Sequence, residues 1–174
     1  MTEKHKRKTI RLKEFDYSQP GEYFVTICTK NHECRFGAIV DGKMNLNEKG
    51  KIVDRCWKGI LEHFSNVVLD EYVIMPNHIH GILILNESAV SLQEQFGKPV
   101  PGSLSTIVRS FKSAVTKRIN ETHLTGAGDA PLWQPRYYDR IIRNEKELNN
   151  IREYIANNII TWMFYKETPE DVLC

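Results

Sequence analysis

The stretch Glu71-Tyr-Val-Ile-Met-Pro-Asn-His-Ile-His-Gly-Ile-Leu-Ile-Leu85 decides how the rest of this chain is interpreted. Its apolar, β-branched composition predicts two strands, and the Pro76-Asn77 break between them favours antiparallel pairing. Residues two apart on a strand share a face, so His78 and His80 would stand together while Ile79 points into the core. Two imidazoles on one rigid face can bind one divalent metal ion. Such pairs are also common for purely structural reasons. Metal binding is therefore favoured only if further candidate ligands or catalytic residues occur elsewhere in the chain.

Strand and helix signals on both sides of this stretch predict an α+β fold. The predicted order is strands at 23–29, 36–40 and 43–46, a helix from Asn47 to about residue 64, strands at 66–75 and 78–85, a helix at 103–122, a strand at 136–142 and a helix from Asn144 through Asn158. This order is close to the split βαβ arrangement, a ferredoxin-like or RRM-like antiparallel sheet with helices on one face. The opposite face, with both histidines, would be partly open to a partner.

Composition and length indicate one ordinary globular domain, with 174 residues of which 41% are hydrophobic and 26% charged. We expect a basic arm over residues 1–18, a single domain over 19–162 and a tail over 163–174. The apolar runs are too short to span a bilayer, and the N-terminal residues lack a signal-peptide pattern, which predicts a cytoplasmic protein without a membrane partner. The four cysteines form no Cys-x-x-Cys pair and are expected to be reduced.

Basic residues form local clusters although the net charge is only +2. Besides the N-terminal arm, the candidate DNA-binding residues are Arg109 and Lys112 on a predicted helix, and Arg136, Tyr137, Arg140 and Arg143 after Trp133. A single cluster would be an ordinary solvated surface. Three clusters, two of them interleaved with aromatic residues, favour a nucleic-acid partner. Trp133, Tyr137 or Tyr138 could stack on unpaired bases, although each is also a reasonable core residue.

The last predicted helix carries the partners that the histidine pair requires. Tyr154 and Asn158 are four residues apart and share one helical face. If that face meets the histidine strand, Asn158 can offer its amide oxygen as a third metal ligand. Tyr154 can then place its phenol oxygen beside a phosphate whose charge the metal neutralises, and attack would give a covalent phosphotyrosine. Alternatively, Tyr154 is a helix tyrosine that simply packs against the sheet.

Three stretches of this sequence resemble one known family. Met75-Pro-Asn-His-Ile-His80, followed by a tyrosine on a later helix, resembles the HUH single-tyrosine transposases of the IS200/IS605 type. Trp133-Gln-Pro-Arg-Tyr-Tyr-Asp-Arg-Ile-Ile-Arg143 and Tyr154-Ile-Ala-Asn-Asn158 resemble their REP-associated tyrosine transposase branch. The resemblance spans roughly residues 20–162.

This resemblance implies Mg²⁺- or Mn²⁺-dependent cutting and rejoining of single-stranded DNA next to small hairpins, in a bacterial, nucleoid-associated location. His78 and His80 match the metal-binding pair, Tyr154 matches the nucleophile that becomes linked to the 5′ phosphate, and Asn158 matches the polar residue one helical turn later. Ile159 stands where the family often has proline, which leaves the course of the chain beyond Asn158 open. A monomer and a homodimer are both consistent with the resemblance.

Two other functions fit the same residues. One is a catalytically silent regulator that binds DNA hairpins, and binding without a covalent adduct would favour it. The other is a metal-dependent phosphodiesterase that uses water, and turnover that survives the loss of Tyr154 would favour it.

Overall fold

The structure, a computed structural model, describes residues 19–87, 100–122 and 131–165. Its elements are β1 (Gly21–Cys28), a 3-10 turn (Lys30–His32), β2 (Gly37–Val40), β3 (Lys43–Leu46), α1 (Glu48–Lys58), α2 (Ile60–His63), β4 (Val67–Ile74), β5 (His78–Leu85), α3 (Leu104–Glu121), β6 (Tyr138–Ile142) and α4 (Glu145–Tyr165). The expected basic arm, most of the loop at 86–102, the link at 125–129 and the tail beyond residue 165 lie outside the described residues.

Four strands form one antiparallel sheet in the order β4-β5-β1-β6. With α1 and α3 as the crossover helices, this is the predicted ferredoxin-like arrangement. β2 and β3 form a separate hairpin inserted between β1 and α1. Its turn residues, Asp41 and Gly42, both have positive φ angles (50° and 72°), as a type I′ hairpin turn requires.

The main core lies between one face of the sheet and helices α1 and α3. Ile79 points into it and is fully buried, as predicted. Helix α1 approaches the sheet closely because Gly81 has no side chain: a Cβ at this position would lie 2.3 Å from the ring of Trp57. Trp57 therefore packs closely against β5, the strand of the histidines, on the face of the sheet opposite to them.

Helix α4 lies on the opposite face of the sheet, which corrects the expectation that this face is partly open. Its apolar stripe packs against β5 and β6 in a second, smaller core composed of Leu148, Ile151, Ile155, Ile82 and Ile142. Leu148, Ile151 and Ile155 recur at helical spacing, and the structure buries them together as one stripe. The face that carries the histidines is covered by the helix that carries Tyr154.

Two helix boundaries differ from the predicted ones. α4 continues to Tyr165 instead of ending near Asn158, because Ile159, unlike proline, retains the backbone N–H that a helix needs. α1 ends at Lys58, and Gly59 separates it from the short α2, where one continuous helix was expected. Glycine is a poor helix former, which accounts for the break.

Within the described ranges, no helix is long and apolar enough to cross a membrane. Within the described residues, Cys28, Cys34 and Cys56 form no disulfide, and Cys174 lies outside these residues.

Candidate active site

His78 and His80 stand side by side at the start of β5 and are 4% and 6% exposed. Their Nε2 atoms are 3.0 Å apart, and their ring centroids are 4.4 Å apart. In the neighbouring strand β1, Cys28 is paired with His78 and Thr26 with His80. The alternation of the strand therefore brings the two imidazoles together on the α4 face, as the sequence predicts.

Each imidazole is oriented by a hydrogen bond at its other nitrogen. The Asn77 amide donates from Nδ2 to the His32 carbonyl at 3.0 Å, so its Oδ1 faces His78 and accepts from Nδ1 at 2.6 Å. The Thr26 hydroxyl lies 2.7 Å from Nδ1 of His80. Histidines that bind metals are commonly held in this way, since a partner at one nitrogen fixes the ring and its tautomer.

The separation of the two Nε2 atoms fits a shared metal ion. Neighbouring ligands in an octahedron with bonds of about 2.1 Å lie about 3 Å apart, and the observed distance is 3.0 Å. Because His78 donates through Nδ1, its neutral form presents an unprotonated Nε2 to the site. The Thr26 hydroxyl can accept from His80 Nδ1, which leaves the second Nε2 unprotonated as well.

Helix α4 crosses directly over this pair. The Tyr154 hydroxyl oxygen lies 3.3 Å from Nε2 of His80, and the two rings are 5.3 Å apart. Two turns later, the Trp162 ring lies 5.8 Å from the His78 ring. Phe24 of β1 stacks on His80 at 5.3 Å and meets the Tyr154 ring edge-on. Tyr154 is nevertheless 48% exposed, so a substrate can reach its hydroxyl.

Asn158 lies midway between Tyr154 and Trp162 on this helical face, so it faces the histidine pair. Its side chain is buried, with only 6% of its surface exposed. Within the part of the chain that the structure describes, no group of three or more His, Cys, Asp or Glu side chains could hold a metal ion. Two imidazoles, with the buried Asn158 amide on the helix that covers them, are therefore the candidate metal donors at this site.

Comparison with known proteins identifies the family. The family model described as "Transposase IS200 like" matches residues 43–158, which is more than half of the chain and includes the histidine pair, Tyr154 and Asn158.

This chain belongs to the IS200-like transposase family. An uncharacterized protein of Haemophilus influenzae is 42% identical to it over 167 residues, which is 91% of each chain. A solved structure of a REP-associated tyrosine transposase bound to a REP hairpin overlaps with a TM-score of 0.62. That overlap covers 87% of this chain and 73% of the other at 19% sequence identity, so it shows a shared fold.

Two of the predicted DNA-binding residues of this IS200-like transposase lie on α3, behind the sheet and away from the histidine pair. Arg109 is exposed there. Lys112 is half-buried, its Nζ donates to the Gln134 carbonyl at 2.5 Å, and burial lowers its pKa. Their contact with DNA stays a prediction, and the structure does not bring them to the site.

The other predicted DNA-binding residues lie on or beside the edge strand β6. Arg140 faces the same side as the histidines, because its strand neighbour Phe24 does, and it pairs with Glu147 at 2.6 Å. Arg136 and Arg143 are exposed at the two ends of the strand. Tyr137 packs against the main core.

Tyr138 is the aromatic residue of β6 that stands on the histidine face. It is paired with Thr26, which is paired with His80, so the three residues form one row across the sheet. Strands are about 4.8 Å apart, which separates Tyr138 from His80 by about 10 Å. The side chain is 38% exposed. Of the two neighbouring tyrosines that the sequence offers for base stacking, Tyr138 lies on the histidine face, whereas Tyr137 packs against the main core.

Four further residues complete this transposase site and were not predicted. Asn77 was visible as the neighbour of His78, but its hydrogen bond depends on the conformation of the turn. Thr26 is a polar residue within an apolar strand, and only the strand register shows that it lies opposite His80. The position of Phe24 beside His80 likewise depends on the register in which β1 and β5 pair. Trp162 reaches His78 only because α4 extends beyond Asn158.

The buried His80 predicts acid sensitivity of the metal-free protein. Burial, and secondly the charge of His78, lower the pKa of His80 from 6.5 to about 3. Below pH 6.5 the unfolded chain therefore takes up a proton that the folded protein does not. The stability that neutral His80 contributes is present above pH 6.5 and is lost progressively toward pH 3. We expect a loss of about 2 kcal/mol between pH 7 and pH 5.

Urea unfolding in EDTA at the two pH values measures this loss. His80→Gln removes the titrating group, so its free energy of unfolding should fall less over the same interval. An equal pH dependence in the two proteins would rule out His80 as the source.

Proposed function

We propose that this protein is a metal-dependent transposase that nicks and rejoins single-stranded DNA at hairpin-flanked sites through a covalent 5′-phosphotyrosine. The proposal is carried mainly by one observation, the 3.3 Å approach of the Tyr154 hydroxyl to Nε2 of His80. A half-exposed phenol beside two oriented imidazoles, whose Nε2 atoms are spaced for one metal ion, is the set of groups that such a reaction needs.

His78, His80 and Asn158 would hold Mg²⁺ or Mn²⁺. A bound ion would neutralise the negative charge of the DNA phosphate and polarise the P–O bonds of that phosphate. Thr26 and Asn77 orient the two imidazoles, and the aromatic rings of Phe24 and Trp162 limit the access of water to the buried side of the site. The exposed side, where Tyr154 lies, is where the DNA strand would enter.

The chemistry assigned to Tyr154 is a reversible exchange of one phosphate ester for another. The phenol oxygen attacks the phosphorus and loses its proton to water, while the bond from phosphorus to the 3′ oxygen breaks and that oxygen takes up a proton. The downstream strand is then joined to Tyr154 through its 5′ phosphate, and the upstream strand ends in a 3′ hydroxyl. Attack by a 3′ hydroxyl on this phosphotyrosine reverses the step and rejoins DNA.

A DNA partner is supported by the solved relative that is bound to a REP hairpin. It is also supported by the exposed arginines on and around β6, which would neutralise phosphates. Such a substrate agrees with the cytoplasmic, nucleoid-associated location expected from the sequence. Because Tyr154 reaches His80 of its own chain, the proposal requires no homodimer.

The test is a hairpin oligonucleotide with a single-stranded flank, taken from the DNA next to the gene and labelled at its 3′ end. Incubation with the purified protein and Mn²⁺ should give a labelled band that migrates with the protein on a denaturing gel. The same oligonucleotide labelled at its 5′ end should release a shorter, protein-free strand. EDTA should prevent both products, and the absence of any adduct despite tight binding would favour the silent regulator.

Tyr138, which lies in one row across the sheet with Thr26 and His80, is predicted to contribute to DNA affinity. Stacking of an unpaired base on Tyr138 should contribute about 1–3 kcal/mol, so Tyr138→Ala should weaken single-stranded DNA binding by about 5- to 150-fold. Tyr138→Phe should bind like the wild type, because the ring is kept. Leu61→Ala, which removes an exposed apolar side chain on α2, serves as the control. Fluorescence anisotropy measures the affinities, and an unchanged Kd for Tyr138→Ala would exclude stacking at this position.

A further inference from the structure

The small apolar core beneath α4 does not by itself fix where the helix lies along its own axis. Leu148, Ile151 and Ile155 pack against the isoleucines of β5 and β6. Apolar contacts of this kind are non-directional, so they set the depth of the helix more firmly than its axial position. Tyr154 adds little constraint of its own, since it is half-exposed and its hydroxyl is 3.3 Å from His80.

A directional contact is made two residues before Tyr154. Arg152 donates from Nε to Asp70 Oδ1 at 3.0 Å and from Nη2 to Asp70 Oδ2 at 2.5 Å. Its Nη1 also donates to Asn149 Oδ1, which ties the guanidinium to α4 itself. Paired hydrogen bonds of this kind fix both distance and angle, unlike a single charge contact.

Asp70 is held in place by a bulge in β4. Leu69 and Tyr72 keep their partners in β5, so Asp70 and Glu71 together lie opposite the single residue Ile82. Bulges re-aim side chains, and here the bulge turns Asp70 toward the α4 face. The backbone N–H of Glu71 donates to Asp70 Oδ1 at 2.6 Å, and the Asp70 side chain is only 12% exposed.

The electrostatics agree with a persistent contact. The hydrogen bond from Arg152 holds the pKa of Asp70 below its usual value, and the Asp70 carboxylate raises the pKa of Arg152. Both shifts favour the charged forms of the two groups. Among the residues that the structure describes, α4 forms one more ion pair, between Arg140 and Glu147 near the start of the helix.

We propose that the Asp70–Arg152 ion pair positions the nucleophile by fixing α4 axially against β4, so that the Tyr154 hydroxyl stays within reach of the histidine pair. Asp70 and Arg152 are positioning residues and touch neither metal nor DNA. The inference rests on the proposed role of Tyr154. Displacing a reacting group by about 1 Å can cost about 100-fold in rate, so a modest slip of the helix would suffice.

The test compares Asp70→Asn, Arg152→Gln and Arg152→Lys with the wild type. At saturating hairpin DNA and Mn²⁺, the single-turnover rate of adduct formation should fall about 10- to 100-fold in the first two variants. Arg152→Lys keeps the charge but loses the paired geometry, and it should recover part of the rate. The Kd values for DNA and for Mn²⁺ should stay within about twofold, since the groups that bind them are untouched. Glu48→Gln, which breaks the exposed Lys51–Glu48 ion pair of α1, should leave the rate unchanged.

A readout without catalysis separates this inference from the proposed function. Nuclear Overhauser effects between the Tyr154 and Phe24 rings, which are 6.1 Å apart, report where α4 lies. They should weaken in Asp70→Asn and Arg152→Gln while the fold, judged by circular dichroism, is kept. Unchanged ring contacts and an unchanged rate would overturn the inference, as would DNA and metal affinities that fall in parallel with the rate. If the wild type forms no adduct, the proposed function fails and the ring contacts alone decide whether the ion pair places Tyr154.

Discussion

Tyr154→Phe should abolish the covalent protein–DNA adduct, with a rate at least about 1,000-fold below that of the wild type. The substitution removes one oxygen atom, the one that would attack the phosphate, and leaves the ring against His80 and Phe24. Because Tyr154 is half-exposed and its hydroxyl has one hydrogen-bond partner among the described residues, His80, loss of this oxygen should change the free energy of unfolding by less than about 0.5 kcal/mol. DNA and Mn²⁺ should bind as they do to the wild type.

The matched control is Tyr138→Phe, the same chemical change on the neighbouring exposed tyrosine of the histidine face. It should retain the adduct at the wild-type rate. Cleavage by Tyr154→Phe at the wild-type rate, without adduct, would show that water is the nucleophile and that the protein is a phosphodiesterase. An adduct that persists in Tyr154→Phe and disappears in Tyr138→Phe would transfer the nucleophile role to β6.

The parts of the site that the sequence predicts are those set by local periodicity. β5 begins at His78 and ends at Leu85 as expected, because the apolar run and the Pro76 break are local signals. The buried stripe of α4 follows from helical spacing alone. The sequence predicts the meeting of Tyr154 with His80 only conditionally, since no local pattern tells which face of the sheet a terminal helix covers.

The parts that the sequence does not predict depend on register and on backbone irregularity. Thr26 orients His80 only because β1 and β5 pair in one register, and a shift of one residue would turn it into the main core. Asp70 meets Arg152 only because a bulge interrupts β4, and bulges have no firm sequence signal. Trp162 reaches His78 only because α4 continues to Tyr165, and the sequence, with Ile159 in place of proline, leaves that course open.

Loss of either imidazole should remove metal binding and activity together. We expect His78→Ala and His80→Ala to weaken Mn²⁺ binding by at least about 100-fold, as each removes one of only two nitrogen donors in the set. Isothermal titration calorimetry with Mn²⁺ measures this without DNA, and the gel assay for the adduct measures the consequence. His63→Ala, on the exposed end of α2, is the matched control and should bind Mn²⁺ like the wild type.

Substitution of Thr26 or Asn77, which orient the histidines, should weaken Mn²⁺ binding less than the loss of a histidine does. Thr26→Val keeps the shape of the side chain and removes only the hydroxyl partner of His80, and Asn77→Ala removes the acceptor of His78. Outer partners of metal-binding histidines typically contribute 10- to 100-fold in affinity, so each variant should bind Mn²⁺ about tenfold more weakly. Asn158→Ala should fall between these variants and the histidine substitutions if its amide oxygen is the third ligand. Wild-type Mn²⁺ affinity in His78→Ala or His80→Ala would instead mean that the spacing of the two nitrogens reflects only a hydrogen bond between them.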